Sequence, residues 1–130
     1  MNLKILKNPL VPIWKSKGVN MGVGWLKGIL EMKAGVIDCS YAGTNQLKVI
    51  LSETVFGIQK EYDVYIPEIE EYIVDQDVVR KAKDLGANMV VCDNWCADVT
   101  YAARKYAESV GLKIYKAGQF LAIIDSGKAP

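Results

Sequence analysis

The run from Asp75 to Tyr115 constrains the fold most, because two amphipathic helix-length segments alternate there with two short apolar ones. Asp75 is placed to cap a helix through Leu85, with Val78, Val79, Ala82 and Leu85 facing inward and Gly86 at the C′ position. Asn88–Cys92 reads as a short buried strand. Asp98 is placed to cap a second helix, whose Val99, Ala102, Ala103, Tyr106, Ala107 and Val110 form an apolar stripe ended by Gly111. Lys113–Tyr115 reads as the next strand and Gln119–Ile124 as a last short apolar element. Strands separated by a helix pair in parallel through a right-handed crossover, so the C-terminal half is expected to be α/β.

The N-terminal half has a different rhythm. Gly35–Val55 reads as two strands joined by the polar turn Gly43-Thr44-Asn45, and Tyr62–Ile66 alternates as a third strand ending at Pro67. Glu68–Val74 fits strand and helix equally. Before the hairpin, apolar residues from Val19 to Met32 partly follow helical spacing, with Asn20 as candidate N-cap and Gly35 as stop. Gly22, Gly24 and Gly28 weaken that helix, or else mark a close approach. Pro9 and Pro12 exclude a helix from residues 1–17, which read as an arm; residues 18–125 form the domain and 126–130 a tail. The expected architecture is a single-domain α/β sandwich with a mixed central sheet, an antiparallel N-terminal meander and a parallel C-terminal strand pair.

A chain of 130 residues, 51% hydrophobic and 24% charged, has the profile of one soluble globular domain. It holds no apolar run of membrane-spanning length and no signal-peptide pattern, so a cytoplasmic location is expected. The net charge of +1 is unevenly distributed: residues 1–33 carry +5, through six lysines that include Lys15 and Lys17, and residues 53–77 carry −7. Such segregation fits a basic nucleic-acid face beside an acidic one, or simply a solvated surface.

Each strand of the first hairpin carries one carboxylate, Asp38 and Glu53. Strand alternation groups Glu53 with Leu47, Val49, Leu51 and Val55, an apolar face on which an acid needs a reason. With a turn centred between Thr44 and Leu47, Asp38 and Glu53 lie nearly opposite each other, a pairing that suits a divalent metal ion. Two unrelated acids at strand ends are the alternative. Cys92 and Cys96 flank a loop at a strand's C-terminal end, but their CxxxC spacing is not that of zinc ribbons. A metal there would need Cys39, Asp93 or Asp98, and buried free thiols are the plainer expectation. Asn94, Trp95 and Asp98 in the same loop are candidates for a small anionic ligand or a protein partner, although an N-cap carboxylate at Asp98 would oppose an anion. Trp14, Trp25 and Trp95 read as core or packing residues in preference to base-stacking platforms. The chain has no histidine, which removes the usual general base and the ordinary catalytic triads.

A helix, a meander bearing Asp and then Glu fifteen residues later, and an α-β-α-β half with Ala87–Val91 and Thr100–Tyr115 resemble the restriction-endonuclease-like PD-(D/E)xK nuclease superfamily. The second half is similar to methylated-DNA restriction endonucleases and archaeal Holliday-junction resolvases. The resemblance implies DNA as partner, a homodimer, and Mg²⁺ held by Asp38 and Glu53, with a lysine two residues after the Glu assisting the nucleophile. This chain has Val55 at that lysine position, and Asn20–Val23 stand where resolvase-like members carry a helical glutamate after Lys17-Gly18. Lys60, Arg80 and Lys81 are the candidates for a migrated catalytic cation, and Lys15, Lys17, Arg80 and Lys81 for nucleic-acid contacts. The alternatives are a fold that has lost its cleavage chemistry, and a non-enzymatic interaction module using residues 93–98.

Overall fold

A computed structural model describes residues 21–53, 57, 60–92 and 96–130. The expected arm at residues 1–17, including Lys15 and Lys17, lies outside them, as do the Asn20 cap, Trp14, Asp93, Asn94 and Trp95. The elements are α1 (Met21–Glu31), β1 (Val36–Gly43), β2 (Gln46–Leu51), β3 (Lys60–Tyr65), a 3₁₀ turn (Ile69–Glu71), β4 (Ile73–Val74), α2 (Gln76–Asp84), β5 (Met89–Cys92), β6 (Asp98–Val99), α3 (Tyr101–Val110), β7 (Lys113–Lys116) and α4 (Ala117–Asp125). Among the described residues no helix is long and apolar enough to cross a membrane.

Five strands form one mixed sheet in the order β1-β2-β3-β5-β7. β2 is antiparallel to both β1 and β3, whereas β3, β5 and β7 are mutually parallel. The antiparallel meander and the parallel pair expected from the sequence are therefore both present, joined edge to edge. β3→α2→β5 and β5→α3→β7 step in one direction across the sheet with both helices on the same face, as successive crossovers of one hand require.

Two cores sandwich the sheet. The first gathers Val23, Leu26 and Leu30 of α1, Leu47, Val49 and Leu51 of β2, Met89 and Val91 of β5, and Phe120 and Ile124 of α4. The second gathers Val78, Val79 and Ala82 of α2, Val90 and Cys92 of β5, and Ala103 and Ala107 of α3. β5 thus sends alternate residues to opposite sides, and all four are buried, which is why its sequence is a continuous apolar run. The second core takes no residue from β1 or β2, so the far side of the hairpin is left without a helical cover.

Both crossover helices end in the same way. Gly86 (φ 89°) and Gly111 (φ 74°) adopt the left-handed conformation, and the N–H groups of Ala87 and Leu112 donate back to the carbonyls of Ala82 and Ala107 at 3.0 and 2.9 Å. Glycine is the residue that takes this φ without a Cβ clash, and buried Ala87 and Leu112 then turn the chain into the sheet. Leu85 is 52% exposed, not inward-facing, because it sits at the cap as the chain leaves the helix. Trp25 is 37% exposed, on the flank of α1 beside the buried positions, so it is only partly an interior residue. A Cβ on Gly28 would meet nothing within 4 Å, so that glycine does not mark a close approach.

The N-termini divide the expectations. Asp75 Oδ1 accepts the Val78 N–H at 3.0 Å and caps α2 as the sequence implies. α3 is capped by Thr100, whose Oγ1 accepts the Ala103 N–H at 3.1 Å. Asp98 instead lies in β6, paired with Ile73 of β4, and Val99 follows in that strand. The β4–β6 pair competes for residues that helix propensity alone would give to α3, and the Ala97 N–H to Tyr72 carbonyl bond at 2.7 Å fixes its start. Ala102 is accordingly exposed, and the buried stripe of α3 narrows to Ala103 and Ala107.

Thr100→Ala is expected to destabilise the protein by about 1 kcal/mol in chemical denaturation, and Asp98→Ala by less than about 0.5 kcal/mol. The reverse order would return the capping role to Asp98.

Candidate functional site

Asp38 sits in β1 and is exposed. Its cross-strand partner is Ile50, with a register irregularity between Val36 and Asp38. β2 ends at Leu51, so Glu53 lies past the strand with its carbonyl accepting the Gly57 N–H at 2.8 Å, and its side chain is exposed. The chain therefore does not place Asp38 and Glu53 opposite each other. The turn pairs Gly43 with Gln46, earlier than the opposed arrangement needs, and the strand terminates before the face that Leu47, Val49 and Leu51 share can include Glu53. The Ser52 N–H donates to the Gly35 carbonyl at 2.8 Å, tying this strand end to the start of β1.

Asp38 shares its face with a different set of residues. Across the sheet the rows run Asp38–Ile50–Glu61 and Ser40–Lys48–Asp63, on the side opposite buried Cys39, Val49 and Tyr62. This is the uncovered side of the meander. Lys48 Nζ lies 3.2 Å from Glu61 Oε2, and that hydrogen bond, with the nearby charges of Glu61 and Asp63, raises the lysine pKa. Asp38 and Glu61 are separated by a whole strand, roughly 10 Å, too far for both carboxylates to ligate one Mg²⁺ at about 2.1 Å. Among the described residues no group of three Asp, Glu, Cys or His side chains is placed to hold a metal ion. Among the described residues, the Asp38–Glu53 pair that the nuclease resemblance implies for Mg²⁺ is therefore not set face to face across the hairpin. The period-2 alternation of Glu61 and Asp63 with Tyr62 and Val64 was the sequence signal for this face.

The candidate cations divide between the two ends of the sheet. Lys60 pairs with Leu51 and lies at the same end as Glu53. Arg80 and Lys81 are on α2, away from that end and already engaged. Arg80 Nη1 lies 2.9 Å from Asp77 Oδ1, and its guanidinium stands over the Tyr106 ring at 5.3 Å. Lys81 Nζ lies 3.2 Å from Glu71 Oε2 and 3.9 Å from Glu68 Oε2, and 5.6 Å from the centre of the Tyr65 ring.

Tyr65, Glu71 and Lys81 form one closed network after the C-terminal end of β3. The Tyr65 hydroxyl donates to Glu71 Oε1 at 2.6 Å, and the Glu68 N–H donates to the same oxygen at 2.9 Å. Burial, and then the bond to Glu71, push the Tyr65 phenol far above its ordinary range. Lys81 thus neutralises a carboxylate that holds the 3₁₀ turn, a structural task that competes with phosphate binding.

The three cysteines are free and buried. Burial pushes the Cys39 thiol up to about 11, against the opposing pull of Lys27. Cys92 is raised further, first by a hydrogen bond with Cys96 and then by burial. Raised thiols are poor nucleophiles and poor metal ligands at neutral pH. In the neighbouring loop, Asp98 is exposed in β6, and residues 93–95 lie outside the described residues.

A second polar grouping, absent from the sequence reading, lies between α2 and α3. Tyr101 is 76% exposed with Lys105 Nζ 5.7 Å from its ring centre, and Tyr106 carries Arg80 on its ring. Helical spacing i, i+4 links Tyr101 to Lys105, a signal visible in sequence, but Arg80 comes from another helix.

Tyr65→Phe is expected to cost about 1–3 kcal/mol of unfolding free energy, since it leaves a part-buried Glu71 oxygen with one donor fewer, whereas Asp38→Ala should stay within about 0.5 kcal/mol of wild type. Because folding raises the Cys39 pKa, its contribution is fully present below the unfolded value of 9.0 and is lost as pH rises towards about 11. A pH series of denaturation midpoints should therefore show wild type losing more stability over that interval than Cys39→Ala. No protein-family model, curated protein or solved structure matches the chain.

Proposed function

We propose that this chain is a nucleic-acid-binding α/β domain of restriction-endonuclease-like architecture whose cleavage centre is not assembled. The observation that carries the reading is the sheet. A helix leads into an antiparallel meander, and the third strand continues in parallel through two helical crossovers, in the unbroken order β1-β2-β3-β5-β7. This is the element order on which the resemblance to PD-(D/E)xK nucleases rests, now with strand directions attached.

Charge supports a polyanionic partner. Residues 99–130 hold Arg104, Lys105, Lys113, Lys116 and Lys128 against Glu108 and Asp125, and residues 1–33 carry a further +5. The acids concentrate elsewhere, on the open meander face and around the 3₁₀ turn. The cleavage-deficient form is favoured over the active one because the residue facing Asp38 is Ile50 and the position two after Glu53 is Val55. DNA and RNA are equally compatible with this charge pattern, and a homodimer would present two copies of it.

Gel-shift titrations with single-stranded and duplex DNA should show binding at low salt that weakens by at least about tenfold as salt is raised, as phosphate contacts require. The same samples with Mg²⁺ or Mn²⁺ should remain uncleaved. Cleavage that disappears in Glu53→Gln would restore an active metal centre. Absence of binding to any nucleic acid at low salt would overturn the reading in favour of a protein-interaction module at residues 93–98.

A further inference from the structure

The short β4–β6 pair immediately precedes α2 and α3, so it holds the first turns of these two helices side by side. The Thr100 N–H donates to the Val74 carbonyl at 3.0 Å, which fixes the relative height of the two N-termini. Between them lies an open groove of about 410 Å³ lined by Gln76, Tyr101, Ala102, Lys105 and Tyr106.

Two features set this groove apart from ordinary solvated helix surface. Tyr101, the first residue of α3, exposes 76% of its surface although the Thr100 cap and the helix backbone fix its position. Its backbone is thus held in place while its ring serves neither core. Beside the groove the cations stand against rings: Lys105 Nζ is 5.7 Å from the Tyr101 ring centre, and the Arg80 guanidinium is 5.3 Å from that of Tyr106. Arg80 shares its charge with Asp77, whereas among the described residues no carboxylate forms an ion pair with Lys105.

We infer that the groove binds single-stranded nucleic acid, with an unpaired base stacked on Tyr101 and a flanking phosphate drawn to Lys105. An exposed ring with adjacent cations matches both halves of a nucleotide, the π-face and the anion. A duplex hides its base faces in its own stack, so the groove selects unpaired strand. This inference rests on the nucleic-acid reading above and names where, and in which form, the strand is held.

The test is fluorescence anisotropy with a labelled oligo-dT and with a duplex of equal length, at low salt, using the full chain. Tyr101→Ala should weaken oligo-dT binding by about tenfold, with duplex binding unchanged and Tyr101→Phe close to wild type. Lys105→Gln should weaken oligo-dT binding and reduce its salt dependence. Both positions are exposed, and circular dichroism would register any loss of fold. Equal oligo-dT affinity in wild type and Tyr101→Ala would overturn the groove while leaving the nucleic-acid reading intact. Wild type that binds neither oligonucleotide would overturn both. Displacement of oligo-dT by free thymidine monophosphate at an equal nucleotide concentration would replace the strand with a mononucleotide as ligand.

Discussion

Burial of β5 on both faces and along both edges is the constraint on which the rest of the structure depends. Met89 and Val91 enter one core, and Val90 and Cys92 enter the other. Its backbone bonds to β3 on one side and β7 on the other. A strand in that position needs partners in four directions, because an unpaired peptide group or a bare apolar face inside the protein would each cost free energy. The helices on either side follow from that need: α4 covers Met89 and Val91, α1 extends the same core over β1 and β2, and α2 and α3 cover Val90 and Cys92.

Coverage fades with distance from β5. At β3 the second core keeps Tyr65 but not Asp63 or Glu61, and at β2 it keeps nothing. The outer side of the meander consequently carries Asp38, Ser40, Lys48, Glu61 and Asp63 around a half-buried Ile50, a mostly polar face without a helix over it. Two helices are enough to cover three parallel strands and leave the hairpin half-dressed. The small β4–β6 pair has the complementary effect, since by fixing two helix starts it creates the α2–α3 groove well away from the meander acids.

Part of the charge that is segregated along the chain is paired in space among the described residues. Lys48 neutralises Glu61, Lys81 neutralises Glu71, Arg80 neutralises Asp77, and Lys33 lies 2.8 Å from Asp125 across the first layer. Such exposed pairs add little stability each, but they decide which cations remain available to a ligand. Among the described residues Lys105 has no carboxylate partner, whereas Lys81 serves the Tyr65–Glu71 network. For Arg80 and Lys81, place in the sequence did not reveal that each already serves a carboxylate.

Much of the fold was legible because local rules carried it. Periodicity revealed the three meander strands, the buried β5 and the crossover helices, and Gly86 and Gly111 marked the helix ends through a backbone conformation that glycine adopts freely. Asp75 was recognisable as a cap for the same local reason. The strand register, the stop of β2 at Leu51, the use of Thr100 over Asp98 and the partners of Arg80 and Lys81 were not legible, since each depends on groups distant in sequence. Two acids fifteen residues apart looked like a site until a turn pairing Gly43 with Gln46 set Ile50 opposite Asp38. The sequence by itself determined the elements, their order and the alternation that makes an α/β sheet, because those follow from side-chain pattern and backbone preference. Only the tertiary structure decided which charges meet, since a one-residue change of register or a short strand pair moves side chains across whole faces without altering the pattern that formed them.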